Sequence, residues 1–116
     1  MPQPSKNEAS KILGVYPESQ GFHFYRGIGD KTGESAHSLE EFINAVKKAD
    51  ADSLEFHSWR GDFENWVKML GDETLAKQMA NIQRSELKGE QLRKRLLQVL
   101  HLRHGSLKKI AGIKTI

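Results

Sequence analysis

A chain of 116 residues, 37% hydrophobic and 28% charged, has the usual size of one domain and enough apolar content for one modest core. It contains no cysteine, which excludes disulfides, thiolate-bound zinc and cysteine nucleophiles. The formal charge of +3 hides an asymmetry: residues 1–81 hold 9 Lys/Arg against 13 Asp/Glu, whereas residues 82–116 hold 9 against 2.

Residues 1–20 read as a flexible N-terminal segment: Pro2 and Pro4 interrupt a polar start, and Lys11–Tyr16 is a short run closed by Pro17. Gly21–Arg26 is aromatic and alternating, which predicts a strand with Phe22 and Phe24 on one face and His23 and Tyr25 on the other. Gly27–Gly33 reads as a loop. Ser38 and Glu41 then form a capping box, and Leu39, Phe42, Ile43 and Val46 follow at helical spacing through about Ala49. Asp50-Ala51-Asp52 breaks that helix. Ser53–Trp59 alternates again, Leu54 and Phe56 against Glu55, His57 and Trp59, which predicts a second strand joined to the first by a right-handed parallel crossover.

Asp62 is the expected N-cap of a helix carrying Phe63, Trp66, Val67 and Leu70, with Gly71 as its stop. Asp72 caps the next helix, on which Leu75, Met79 and Ile82 share a side. After a break near Ser85, a longer helix runs from about Lys88 to His104, and residues 105–116 form a basic C-terminal tail. The pattern is α+β: a single domain over residues 21–104, with a small two-stranded or few-stranded sheet. The element order is βα–βααα, and helices form most of the mass.

Gly27-Ile28-Gly29-Asp30-Lys31-Thr32-Gly33 lies between a strand and a helix, the place of a phosphate loop. Its third glycine comes one residue late for a dinucleotide fingerprint, and Asp30 stands where a P-loop needs glycine before Lys31. A plain turn is the better reading. His23 and His57 both fall on the second face of their expected strands, with Glu55 one pleat away. Two imidazoles and a carboxylate can hold a divalent metal, although no ligand spacing such as a helical H-x-x-x-H is present.

The richest segment is His57-Ser58-Trp59-Arg60-Gly61-Asp62-Phe63-Glu64-Asn65-Trp66. Capping and core duties absorb Asp62, Phe63 and Trp66, and Gly61 makes the turn. His57, Trp59, Arg60 and Asn65 remain, and with His23 and Tyr25 they form the candidate ligand or partner surface. A nucleophile or a complete acid–base pair, which catalysis requires, is not identifiable, so no catalytic residue is assigned.

The basic third of the chain offers Arg93, Lys94, Arg95, Arg103, Lys108, Lys109 and Lys114 as nucleic-acid contacts. With Leu92 at zero, Arg93, Lys94 and Arg95 fall near about 100°, 200° and 300° around the helix, so they surround it and do not line one face. No aromatic residues are interleaved to stack bases. Ser106-Leu107-Lys108-Lys109-Ile110-Ala111-Gly112-Ile113 resembles the first half of a helix-hairpin-helix DNA-binding element. Lys114 stands where its second glycine would be, and the second helix is missing.

The order of features also resembles a family of short archaeal and bacterial proteins known only as a domain of unknown function. The resemblance rests on Phe22-His23-Phe24, Ala36-His37-Ser38-Leu39-Glu40-Glu41-Phe42 and Ser53-Leu54-Glu55-Phe56-His57. It continues through Asp62-Phe63-Glu64-Asn65-Trp66, Leu70-Gly71-Asp72-Glu73-Thr74-Leu75-Ala76 and Leu92-Arg93, covering residues 21–103. It implies a small α+β module and carries over no site residues.

The sequence therefore favours a non-catalytic interaction module that binds a protein partner or itself. A non-specific nucleic-acid binder acting through the basic C-terminal region ranks second, and an enzyme or metal protein centred on His57 third. No cofactor is implied. Without a signal-peptide core or the ~20 apolar residues of a membrane span, the expected location is the cytoplasm, away from the membrane.

Overall fold

The computed structural model describes residues 3–113. Among these, six α-helices accompany a two-stranded antiparallel sheet, a mostly helical α+β arrangement. Helix α1 spans Lys6–Ile12, within the segment expected to be flexible. Ser5 and Glu8 close a complete capping box there, and Ala9 and Ile12 are buried in the core. A 3₁₀ turn over Glu18–Gln20 leads into strand β1, Phe22–Gly27.

The sheet has two strands, but the second, β2, is Asp30–Ala36, drawn from the region read as a loop. It pairs antiparallel with β1 through a turn at Ile28-Gly29, where Gly29 takes the left-handed φ of 75°. Pairing of Phe22 with Ala36 and of Tyr25 with Lys31 leaves extra residues on β2, which Gly33 absorbs at φ 89°. Of β2 only Ala36 is buried, so the strand shows no apolar alternation to read.

Helix α2, Leu39–Lys48, follows the expected pattern, with Ser38 accepting the Glu41 N–H. The second limb of the predicted capping box differs: Glu41 takes the His37 N–H at 2.9 Å. The expected strand over Ser53–Trp59 is instead helix α3, Ala51–Arg60, so no parallel crossover forms. Its buried residues are Ser53, Leu54, His57 and Ser58, a helical repeat. Because three of these four are polar, the apolar residues alone suggested a period of two. Gly61, at φ 77°, ends α3 and opens α4, Asp62–Leu70, in the position expected for Asp62 as N-cap.

Helix α5, Glu73–Ser85, starts on Asp72 as predicted, the carboxylate accepting the Leu75 N–H at 3.0 Å. Helix α6, Gly89–Ala111, runs seven residues past the expected end at His104 and packs against α1, α2, α3 and α5. The segment expected as a basic tail therefore contributes Leu107 and Ala111 to the core, and the helix-hairpin-helix resemblance falls within one continuous helix. No helix among the described residues is long and apolar enough to cross a membrane.

The core that positions the site is aromatic. Phe22 lies edge-on to Phe24, Phe42 and Trp66 at centroid distances of 4.8, 5.3 and 6.0 Å. Phe63 closes the cluster at 5.3 Å from both Phe22 and Phe42. Trp66 satisfies its indole N–H on the Gln20 carbonyl at 3.0 Å, which anchors the chain entering β1.

Candidate functional site

Strand β1 pairs with β2 along one edge, and its other edge faces α3. A cleft of about 380 Å³ opens between them, lined by His23, Tyr25 and Ile28 from the hairpin and Phe56, His57 and Arg60 from α3. The structure thus brings together four of the six candidate surface residues. Trp59 points into a separate hollow with Arg84 and Lys88, and Asn65 is exposed on α4 outside the cleft.

His57 is 3% exposed and spans the gap. Its Nε2 lies 2.8 Å from the Tyr25 nitrogen, and its Nδ1 lies 2.8 Å from Asp62 Oδ2. The Tyr25 N–H can only donate, so Nε2 is the acceptor, and the neutral ring carries its proton on Nδ1 and donates to Asp62. Burial pushes the imidazole below its ordinary pKa of 6.5, against the pull of the Asp62 hydrogen bond. Both ring nitrogens are therefore engaged by the protein, and the lone pair that a general base or a metal ligand would use is already committed to β1. Asp62, expected as a cap, instead orients His57 and sits 3.5 Å from Arg60 Nε.

His23 lines the same cleft as His57, but its ring is engaged by Glu18. Its Nε2 is 3.1 Å from the Glu18 carbonyl, and Glu55 lies away from both rings, accepting the Gly89 N–H at 2.8 Å. The metal reading required these three groups together; Glu55 is instead turned to Gly89, away from the cleft lining. Arg60 packs its guanidinium 4.8 Å from the Phe56 ring centre, which presents a charge on an apolar floor at the cleft mouth. Ile28, at the hairpin tip, is 92% exposed.

A second cluster was missed in the sequence because His37 meets Glu18, 19 residues before it, only in the fold. His37 Nε2 approaches Glu18 at 2.6 Å and its Nδ1 approaches Glu41 at 3.2 Å. These two hydrogen bonds, the one to Glu18 first, raise the His37 pKa. The loop fits closely: a Cβ on Gly21 would lie 2.9 Å from His37 Cδ2 and 3.0 Å from the Ala36 carbonyl oxygen. The cluster ties the chain before β1 to the start of α2. Among the described residues no three His, Asp or Glu groups are arranged to hold a metal.

The basic candidates divide sharply. Arg103 donates twice into the buried Asp72 carboxylate, at 2.8 and 2.9 Å. Arg93 donates to Glu90 and, at 2.7 Å, to the Val46 carbonyl near the end of α2. Both are structural. Lys94, Arg95 and Lys109 remain on the exposed side of α6, Lys108 is half-buried, and Lys114 lies outside the described residues.

Comparison with curated proteins and with solved structures finds no match. A family model does match, over residues 17–112, which includes the whole of the cleft and extends the resemblance beyond residues 21–103 on both sides. With most of its length so covered, the chain belongs to the family of unknown function DUF5752.

Proposed function

We propose that the chain is a non-catalytic interaction module whose partner protein docks at the cleft between β1 and α3. The observation that carries this reading is the cleft's combination of an exposed Ile28, an apolar floor at Phe56 and an ionic rim at Arg60. Apolar surface rimmed by polar groups marks interaction sites, and arginine and aromatic side chains are enriched among the anchors of protein contacts. His57 supports the same reading, since its commitments to Tyr25 and Asp62 make it a brace for the cleft wall. The partner would place an apolar side chain against Ile28 and Phe56 and an acidic group near Arg60. A cysteine-free composition supports cytoplasmic residence.

The test compares affinity capture by the wild-type chain with capture by Ile28→Asp and Arg60→Glu, both at exposed positions. A partner retained by the wild type and lost from both variants is the expected result. Identical capture by all three, or no specific capture together with a monomer at every concentration by light scattering, would overturn the reading.

A further inference from the structure

Trp59 presents a different opportunity. It is the penultimate residue of α3 and its side chain stays 48% exposed, unusual for an indole that could have joined the adjoining core. Its backbone is held firmly: Gln83, in the last turn of α5, donates to the Trp59 carbonyl at 2.8 Å. The loop between α5 and α6 folds back over the same spot. Glu86 there adopts φ 60°, the one left-handed non-glycine residue among those described, and the Gly89 N–H is tied to Glu55 on α3. That conformation closes α5 as its left-handed C-cap, the Glu86 N–H donating to the Gln83 carbonyl, and it turns the chain back toward α3. Its result is that the Lys88 ammonium stands 5.7 Å from the Trp59 ring centre.

The hollow so formed has a volume of about 590 Å³, with Trp59, Gln83, Arg84, Glu86 and Lys88 around it. That volume suits a nucleotide-sized group. Arg84 is engaged only by the neutral Asn81 amide, and among the described residues neither Arg84 nor Lys88 pairs with a carboxylate. Two cations thus outweigh the single Glu86 carboxylate. An accessible indole flanked by unpaired cations is the arrangement that stacks an unpaired base and holds its phosphates. The C-terminal segment lacks such an aromatic in its own sequence, and the fold supplies one from α3.

We propose that this hollow binds single-stranded nucleic acid, with one base stacked on Trp59 and the flanking phosphates held by Arg84 and Lys88. A duplex is excluded as the preferred form because its bases are already stacked and paired, out of the indole's reach. A phosphate draws Lys88 off the ring face, since a full anion attracts an ammonium more strongly than an aromatic quadrupole does. The base then takes the vacated face.

The test is a titration of the full chain with oligothymidylate of about 15 nucleotides, long enough for one site of this class. Anisotropy of a fluorescently labelled oligonucleotide reads affinity for every variant; in chains that keep Trp59, tryptophan quenching also reports stacking, since Trp66 is buried. The expected results are quenching at low salt and an affinity that falls as salt rises. Trp59→Ala should weaken binding about tenfold or more, the usual cost of losing one stacking platform. Lys88→Ala and Arg84→Ala should each lower the log–log salt slope by about 0.7, the value for one phosphate contact on a single strand. Should Trp59→Ala also lower the melting temperature, Lys88→Glu on the exposed loop carries the test, and it must abolish binding. Absence of quenching at low salt, undiminished binding by either variant, or equal binding of inorganic polyphosphate would overturn the proposal.

Discussion

His57 shows how one side chain can look catalytic in sequence and act as a strut in the fold. Its two nitrogens join β1 to the start of α4, and the neutral ring lies among Phe22, Phe24 and Phe63. Since burial lowers its pKa in the folded state, the unfolded chain binds the proton more readily between the folded value and 6.5. The contribution of His57 is therefore complete above about pH 6.5 and is lost as pH falls below it. His104, also lowered by burial, acts in the same direction, whereas His37, with its pKa raised, acts in the opposite one. A His57→Gln variant isolates the term: its stability deficit against the wild type should be largest at pH 7 and should shrink toward pH 5. Urea unfolding at several pH values measures this, and a deficit constant across the range would contradict it. The chemistry of His57 was visible in sequence, but its partners were not. Tyr25 lies 32 residues away, and only the tertiary fold brings its N–H to the ring.

At the scale of elements, legibility followed the apolar pattern. Helices α2, α4 and α5 bury Leu, Ile, Val, Phe, Trp and Met at helical spacing, and each was predicted near its observed position with caps at Ser38 and Asp72. Helix α3 buries Ser53, His57 and Ser58 in place of apolar groups, and β2 buries only Ala36, so neither carries the pattern that identifies its class. Helix α1 is short but did carry a signal, the Ser5–Glu8 capping box followed by Ala9 and Ile12. The contact between the start of α5 and the C-terminal half of α6 shows what sequence charge counts conceal. Asp72 is 1% exposed and serves both as the cap of α5 and as the acceptor of both Arg103 hydrogen bonds. Removing one partner of such a buried pair leaves an uncompensated charge, so Arg103→Ala should cost about 3–5 kcal/mol. Arg103→Lys should recover only part of it, because a single ammonium cannot reproduce the paired geometry. Chemical denaturation checks both, and a loss below about 1 kcal/mol for the alanine variant would assign Arg103 to the solvent-exposed charges.

For the whole molecule, α6 decides how much chain the fold needs. The charge asymmetry made the residues beyond His104 look like a solvated appendage. In the structure the same stretch alternates between duties: Leu107 is fully buried and Ala111 nearly so, while Lys109 is exposed. Both buried residues belong to the core that includes Ala9 and Ile12 of α1, and α1 packs along this end of α6. Neither terminal segment can bury its apolar side without the other. A chain ending at His104 should therefore lose the docking of α1 as well as its own last turns, and melt at a markedly lower temperature with reduced cooperativity. Two full-length variants separate packing from charge. Leu107→Ala should cost about 2–5 kcal/mol, the range for emptying a buried leucine site. Replacing Lys109 by Gln, which removes an exposed positive charge and no core contact, should change stability by less than about 0.5 kcal/mol. If the truncated chain instead melts like the full one, residues beyond 104 are a tail after all, and the exposed cations there are free to serve a ligand without any cost to the fold.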